Sequence, residues 1–106
     1  GSPGGRTIIN TVFQLIVNII DFKMDIGQAI EAGRIHHQWF PDELKVEPNG
    51  FSTESLSILR AMGHRIQYSA TSNSQGRAMG ILIDPRTKEF MGCADPRSAD
   101  GAAIGY

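Results

Sequence analysis

Across residues 7–21 the polar side chains Thr7, Asn10, Thr11, Gln14, Asn18 and Asp21 recur mostly at three- and four-residue intervals, and the positions between them are Ile8, Ile9, Val12, Phe13, Leu15, Ile16, Val17, Ile19 and Ile20. That spacing is the period of an α-helix carrying one narrow polar stripe. The apolar remainder covers most of the circumference, so the pattern predicts a helix buried between other elements. Several of these residues are β-branched, which lowers intrinsic helix propensity, so the helix has to be held by packing.

The pattern then breaks into shorter pieces. Asp25 is placed to cap a helix over residues 26–32, with Gly33 in the position that commonly closes a helix in the left-handed conformation. Residues 34–47 read as a connection that enters a short strand at the alternating Leu44-Lys45-Val46-Glu47. Pro48-Asn49-Gly50 is a turn. Ser52 or Thr53 can cap a third helix, with Glu54 near its positive end, Leu56, Leu59 and Met62 as its apolar face, and Gly63 as its stop.

Beyond that point the reading is strands. Residues 64–70 alternate around Ile66 and Tyr68, and residues 71–76 form a polar turn. Residues 78–83 and 89–93 flank Asp84-Pro85-Arg86-Thr87, which marks a hairpin. The tail from Ala94 to Tyr106 is small, charged and glycine-rich, and has no period. Helices first and antiparallel strands later indicate an α+β fold, with the first helix laid across a sheet. A three-stranded sheet covered on one face leaves its other face and its edges unmatched. The whole of 1–106 is therefore expected to be a single, incomplete domain that, when isolated, either self-associates through its exposed faces or is poorly ordered.

Composition narrows the possible partners. In 106 residues, 41% are apolar, and 10 Lys plus Arg stand against 11 Asp plus Glu. No basic stripe points to nucleic acid. Cys93 is the one cysteine, which excludes an internal disulfide and a cysteine-only metal cage. The stretch from Ile8 to Ile20 is too short and too polar to span a bilayer. The first residues do not read as a secretion signal. A glycine loop leading straight into so apolar a helix is what a piece of a longer polypeptide presents.

Candidate chemistry lies first in Gly1-Ser2-Pro3-Gly4-Gly5. Two successive glycines let consecutive N–H groups point to one spot, and the following helix adds positive potential there. Such a nest can hold a phosphate, a carboxylate or the oxyanion of a tetrahedral acyl intermediate; a plain tight turn or a vector-derived leader has the same pattern. His36 and His37 are adjacent and diverge on either a helix or a strand, so they do not readily grip one metal together. A metal site would need His64 and carboxylates from elsewhere, and none is assigned. Cys93 beside Met91 and Ala94 reads as a buried small hydrophobe. Asp95 and Arg97 read as a pair that holds a turn.

Taken together, several segments resemble the gamma-glutamyltransferase family, also called glutathione hydrolases. The carriers are Gly1-Ser2-Pro3-Gly4-Gly5 with Ile8-Ile9-Asn10-Thr11-Val12, then Arg34-Ile35-His36-His37-Gln38-Trp39 with Pro41-Asp42-Glu43-Leu44, then Ala94-Asp95-Pro96-Arg97-Ser98 and Gly105-Tyr106. They stand in the family's order along essentially the whole chain. Arg6-Thr7 departs from it, standing where many members have a small hydroxyl residue followed by a basic one.

The resemblance implies part of an N-terminal nucleophile hydrolase: an αββα sandwich built by a precursor that cleaves itself into a large and a small subunit, with this chain as the C-terminal segment of the small subunit. A threonine exposed by that cleavage attacks γ-glutamyl amides such as glutathione, with its own α-amino group as base, and water or an amino acid or peptide resolves the acyl-enzyme. No cofactor is implied. By motif Gly4 and Gly5 carry over as the oxyanion hole, with Gly5 also against the substrate. The nucleophile, the residues gripping the glutamate end and the large subunit would lie upstream, so the chain alone is expected to be inactive. A periplasmic or secreted location follows from the resemblance only. The same fold could instead serve as a stand-alone binding domain, or as part of a related acylase of glutaryl or polyglutamate substrates.

Overall fold

A computed structural model describes residues 1–70 and 75–105. The chain builds two small sheets, each with its own helix and its own cluster of buried side chains. The elements run α1 (Thr7–Ile20), α2 (Ile26–Glu31), β1 (Ile35–His36), β2 (Leu44–Val46), α3 (Thr53–Ala61), β3 (Ile66–Tyr68), β4 (Met79–Ile83) and β5 (Phe90–Ala94).

The first sheet has the order β1-β2-β3. β1 runs antiparallel to β2, pairing Ile35 with Val46. β3, however, is parallel to β2, pairing Leu44 with Ile66 and Val46 with Tyr68. The expected antiparallel sheet is thus mixed. The chain leaves β2, crosses through α3 and re-enters in the same direction, which only a crossover connection permits. Leu44, Val46 and Leu56 form the buried cluster between this sheet and α3, with Ile35, Phe51, Leu59 and Ile66 packed around it. Ser52 caps α3 through its hydroxyl, which accepts the Ser55 N–H at 3.1 Å, and Gly63 at φ 100° ends it. Met62, expected on the buried face, is exposed.

The second sheet is the expected hairpin, with Met79 opposite Ala94 and Ile83 opposite Phe90. Its turn is tied by Asp84, whose Oδ1 accepts the N–H groups of Arg86 at 2.7 Å and Thr87 at 2.9 Å. Those two bonds favour the charged carboxylate and hold its pKa below the usual value. α2 lies on this hairpin: Ile26, Ile30 and Ala78 are the buried cluster, joined by Leu82 and Cys93 from the strands and by Leu15 and Ile19 from α1. Gly80 makes the close approach possible, since a Cβ there would sit 2.7 Å from Cδ1 of Ile26.

Two expectations are corrected here. It is α2, not α1, that covers a sheet, and α1 packs beside α2 by one edge. Thr11 is the one buried residue of α1, while Ile9 is 81% and Phe13 61% exposed. Within the described residues its apolar side chains meet only the cluster at α2, through Leu15 and Ile19, so most of the apolar surface is left open. Gly33 does not close α2 in the left-handed region either. The helix ends at Ala32, which turns extended at φ −50°, ψ 143°. Gly33 is needed because a Cβ would overlap the backbone of Gly50. Asp25 caps α2 as expected, in a reciprocal capping box with Gln28.

Candidate active site

Gly4 and Gly5 sit at φ 139° and 58°, the region that side chains disfavour. Their carbonyls turn into the first turn of α1: Thr7 N–H donates to Gly4 O at 3.2 Å, Thr7 Oγ1 to the same oxygen at 3.0 Å, and Ile8 N–H to Gly5 O at 3.2 Å. Among the described residues neither glycine N–H has an acceptor, and both glycines are exposed. No side chain caps the helix that follows. The loop therefore presents open N–H groups at the positive end of a fourteen-residue helix.

What holds the loop is the segment Gln75–Met79. Arg77 N–H donates to Ser2 Oγ at 3.1 Å and Met79 N–H to Gly1 O at 2.8 Å. Gly76, at φ 87°, lies directly behind the loop; a Cβ there would overlap Ser2 Oγ and stand 3.0 Å from Pro3 O and 3.2 Å from Thr11 Oγ1. From α1, Thr11 Oγ1 donates to Gln75 O at 2.7 Å. From just before β1, Arg34 Nη1 donates to Gly76 O at 3.0 Å.

Arg34 is the first member of a buried ionic layer. Its Nη2 reaches Asp95 Oδ2 at 2.7 Å, with the two side chains 2% and 0% exposed. The same carboxylate oxygen accepts Ala78 N–H at 2.6 Å, joining β5 to the edge of β4. Asp95 Oδ1 meets Arg97 Nη1 at 3.1 Å. Arg97 in turn forks onto Glu47, through Nε to Oε1 at 2.7 Å and Nη2 to Oε2 at 2.6 Å. Glu47 Oε2 also accepts the Arg34 N–H at 2.9 Å. Arg97 further donates to the carbonyls of Ile30, Glu31 and Ala32, which are the acceptors that the end of α2 leaves open. Two cations and two anions alternate, and every charge has a partner.

The electrostatics agree with that arrangement. Burial alone would raise the Asp95 carboxyl, but the N–H groups of Ala78 and Arg97 and the Arg34 guanidinium outweigh it and hold the pKa below the usual value. Burial likewise opposes the charge on Arg97, and Glu47 and Asp95 outweigh it, raising its pKa.

The polar stripe of α1 belongs to the same layer. Gln14 both donates to Ile35 O at 2.8 Å and accepts Ile35 N–H at 3.0 Å, and Asn10 Nδ2 donates to the same carbonyl. α1 is thus anchored through its polar side, the reverse of what its composition suggests.

The other candidates fall outside this centre. His36 is buried and bonds Gln38 Oε1 at 3.0 Å. His37 accepts Trp39 N–H through Nδ1 at 3.1 Å, which leaves its proton on Nε2 for Asp42 at 3.1 Å. The two rings have separate partners, His64 is exposed, and no metal-binding group of three or more His, Cys, Asp or Glu occurs among the described residues. Cys93 is half-buried in the cluster under α2, the packing role expected of it. Asp95 and Arg97 do hold a turn, and they also reach much further. Sequence reasoning passed over the roles of Arg34, Glu47, Thr11 and Gly76. The available signal was a charged residue at Arg34 just before a strand, with an Asp-Pro-Arg turn elsewhere to satisfy it.

Solved structures share this fold. A Helicobacter pylori gamma-glutamyltranspeptidase superposes with a TM-score of 0.80 at 40% identity, covering 92% of this chain and 52% of that one. A cephalosporin acylase from Bacillus halodurans superposes with a TM-score of 0.83 at 30% identity, covering 92% of this chain and 18% of that one. The class is therefore an α+β portion of an N-terminal nucleophile hydrolase.

Within that class the assignment is narrower. The family described as gamma-glutamyltranspeptidase matches residues 1–105, and the chain belongs to it. The glutathione hydrolase proenzyme of Escherichia coli is 44% identical over 106 residues, and the chain spans 17% of that protein's length.

Proposed function

We propose that this chain is the C-terminal segment of the small subunit of a γ-glutamyl-transferring enzyme, and that the Gly4 and Gly5 N–H groups form its oxyanion hole. The observation carrying this reading is the glycine loop: two left-handed glycines with open N–H groups at a helix N-terminus, backed by a buried layer that fixes their position. Family membership supplies the reaction.

In that reaction a threonine hydroxyl, outside this chain, attacks the γ-carbonyl carbon of a γ-glutamyl amide while its own α-amino group takes the hydroxyl proton. The carbonyl oxygen becomes an oxyanion facing Gly4 and Gly5. The C–N bond breaks, the proton passes to the departing amine, and an ester remains on the threonine. Water or the amine of an acceptor then attacks that ester through a second oxyanion in the same place, its proton passes by way of the α-amino group to the threonine oxygen, and the acyl C–O bond breaks to free the product and the hydroxyl. The loop thus serves both halves of the cycle. Its partners are the large subunit, the upstream part of the small subunit and γ-glutamyl peptides such as glutathione. A periplasmic or secreted setting fits the resemblance.

The test compares the full-length precursor containing this segment with the 106-residue chain alone, on a γ-glutamyl anilide. Turnover by the self-cleaved full-length protein and none by the chain is the expected result. Amine release by the repurified chain, or none by the self-cleaved enzyme, overturns the reading.

The match to a cephalosporin acylase favours one second reading, in which the same loop serves another acyl group. The chain holds the loop but not the groups that grip the side chain of the substrate. Relative rates on γ-glutamyl and glutaryl anilides separate the two.

A further inference from the structure

The glycine loop is not supported by its own helix alone. Its rear face is closed by Gly76, and the Gln75–Gly76 backbone is held from two directions, by Thr11 Oγ1 on Gln75 O at 2.7 Å and by Arg34 Nη1 on Gly76 O at 3.0 Å. Both donors are buried, with Thr11 and Arg34 each 1% exposed. Thr11 is the one buried residue of α1, and its hydroxyl is spent on this contact.

We infer that Gly76 and Thr11 are positioning residues for the oxyanion loop: together they set how far forward the Ser2–Gly5 backbone stands, and so where the Gly4 and Gly5 N–H groups meet the reacting carbonyl. This rests on the oxyanion reading of Gly4 and Gly5 given above. At Gly76 the φ of 87° strains any side chain, and a Cβ there would displace Ser2 Oγ and press on the Pro3 carbonyl at 3.0 Å. At Thr11 the hydroxyl that reaches Gln75 also stands 3.2 Å from the Cβ position at Gly76, so it touches both the strap and the space behind the loop. A displaced loop would still bind the glutamyl end of a substrate through groups outside this chain. It would fail selectively where the oxyanion forms, because misplacement of catalytic groups by about 1 Å can cost on the order of 100-fold in rate.

The experiment uses the self-cleaved full-length enzyme and a γ-glutamyl anilide, with kcat, KM, the rate of the first acylation turnover and melting temperature measured for each variant. Thr11→Val keeps shape and removes the hydroxyl; it is expected to lower kcat and the acylation rate by roughly 10-fold with KM within about 2-fold. Thr11→Ser keeps the donor and is expected to retain most of the rate, a rescue that a packing role would not give. Gly76→Ala is expected to lose on the order of 100-fold in kcat where it folds, and the Thr11 pair carries the test if it does not. Gly5→Val serves as the reference. If Gly5→Val depresses kcat and Thr11→Val at wild-type cleavage leaves it unchanged, the positioning role is overturned and the oxyanion reading stands. If folded Gly5→Val keeps its kcat, the oxyanion reading falls and this inference with it. Equal losses in Thr11→Val and Thr11→Ser also overturn it.

Discussion

The interior polar layer and the outer apolar faces of this chain obey opposite rules. Arg34, Asp95, Arg97 and Glu47 are enclosed and each charge has a partner. On the outside, Ile9, Phe13, Ile81 and Phe90 stand more than half exposed, with nothing among the described residues laid over them. Among the described residues each charge of the layer is paired, with Arg34 Nε left without a partner, whereas the apolar surface is left open. A short polypeptide can satisfy a charge with one well-placed partner, whereas covering the face of a fourteen-residue helix or a hairpin needs another layer. The difference shows which part of the architecture this segment carries by itself: the frame behind the glycine loop.

The largest effect should come from breaking the layer. Arg34→Ala leaves Asp95 buried and short of its closest charge and releases Gly76, so a loss of about 3–5 kcal/mol is expected, since removing one partner of a buried pair strands the other. Denaturant unfolding of the full-length protein checks it. A loss within about 1 kcal/mol, the usual range for exposed pairs, would show that the layer contributes little.

Next is association. The isolated chain is expected to self-associate through α1 and the hairpin, and a Phe13→Lys, Phe90→Lys double variant should move light scattering toward the monomer. A wild-type chain that scatters as a sharp monomer with a cooperative thermal transition contradicts the open-face reading.

The pH dependence is smaller. The folded pKa of Asp95 lies below its unfolded value near 3.8, so its contribution is fully present above that value and is lost as pH falls through the folded pKa. Melting temperature should be flat from about pH 7 to 5 in this respect and fall below about pH 4. Asp95→Asn should be less stable throughout and show a shallower acid slope. An unchanged slope would remove Asp95 from the acid response.

The smallest effect in the isolated chain sharpens the contrast. Phe13→Ser should change the stability of the isolated chain, diluted to its monomer, by no more than about 0.5 kcal/mol, as surface substitutions do, and cost about 3 kcal/mol or more in the full-length protein. Equal small losses in both settings would mean that α1 stays uncovered in the whole enzyme.

Much of this was readable in advance. The period of α1, the Asp25 and Ser52 caps and the Asp84 turn are local signals, and each appears where its side chains place it. The glycine loop was legible as a turn ahead of a helix. Three things were not. The direction of β3 depends on α3 acting as a crossover, which periodicity does not encode. Gly33 looked like a helix stop because its requirement is a contact with Gly50, seventeen residues away. The stripe of Thr11, Gln14 and Asn10 was legible as a stripe but not its partners, since a polar side chain bound to distant carbonyls reads the same in sequence as one bound to water.

The central claim is that this segment provides a fixed oxyanion loop, and the most direct measurement is kcat alongside melting temperature for Gly5→Val in the self-cleaved full-length enzyme. Gly5 has open space at its Cβ position and a φ of 58°, so valine displaces the backbone without colliding with the interior. The prediction is a fall in kcat on the order of 100-fold or more, a KM within a few-fold of wild type and a melting temperature lowered by only a few degrees. A folded, fully cleaved variant with near-normal kcat would contradict the account and leave Gly4 and Gly5 as turn residues.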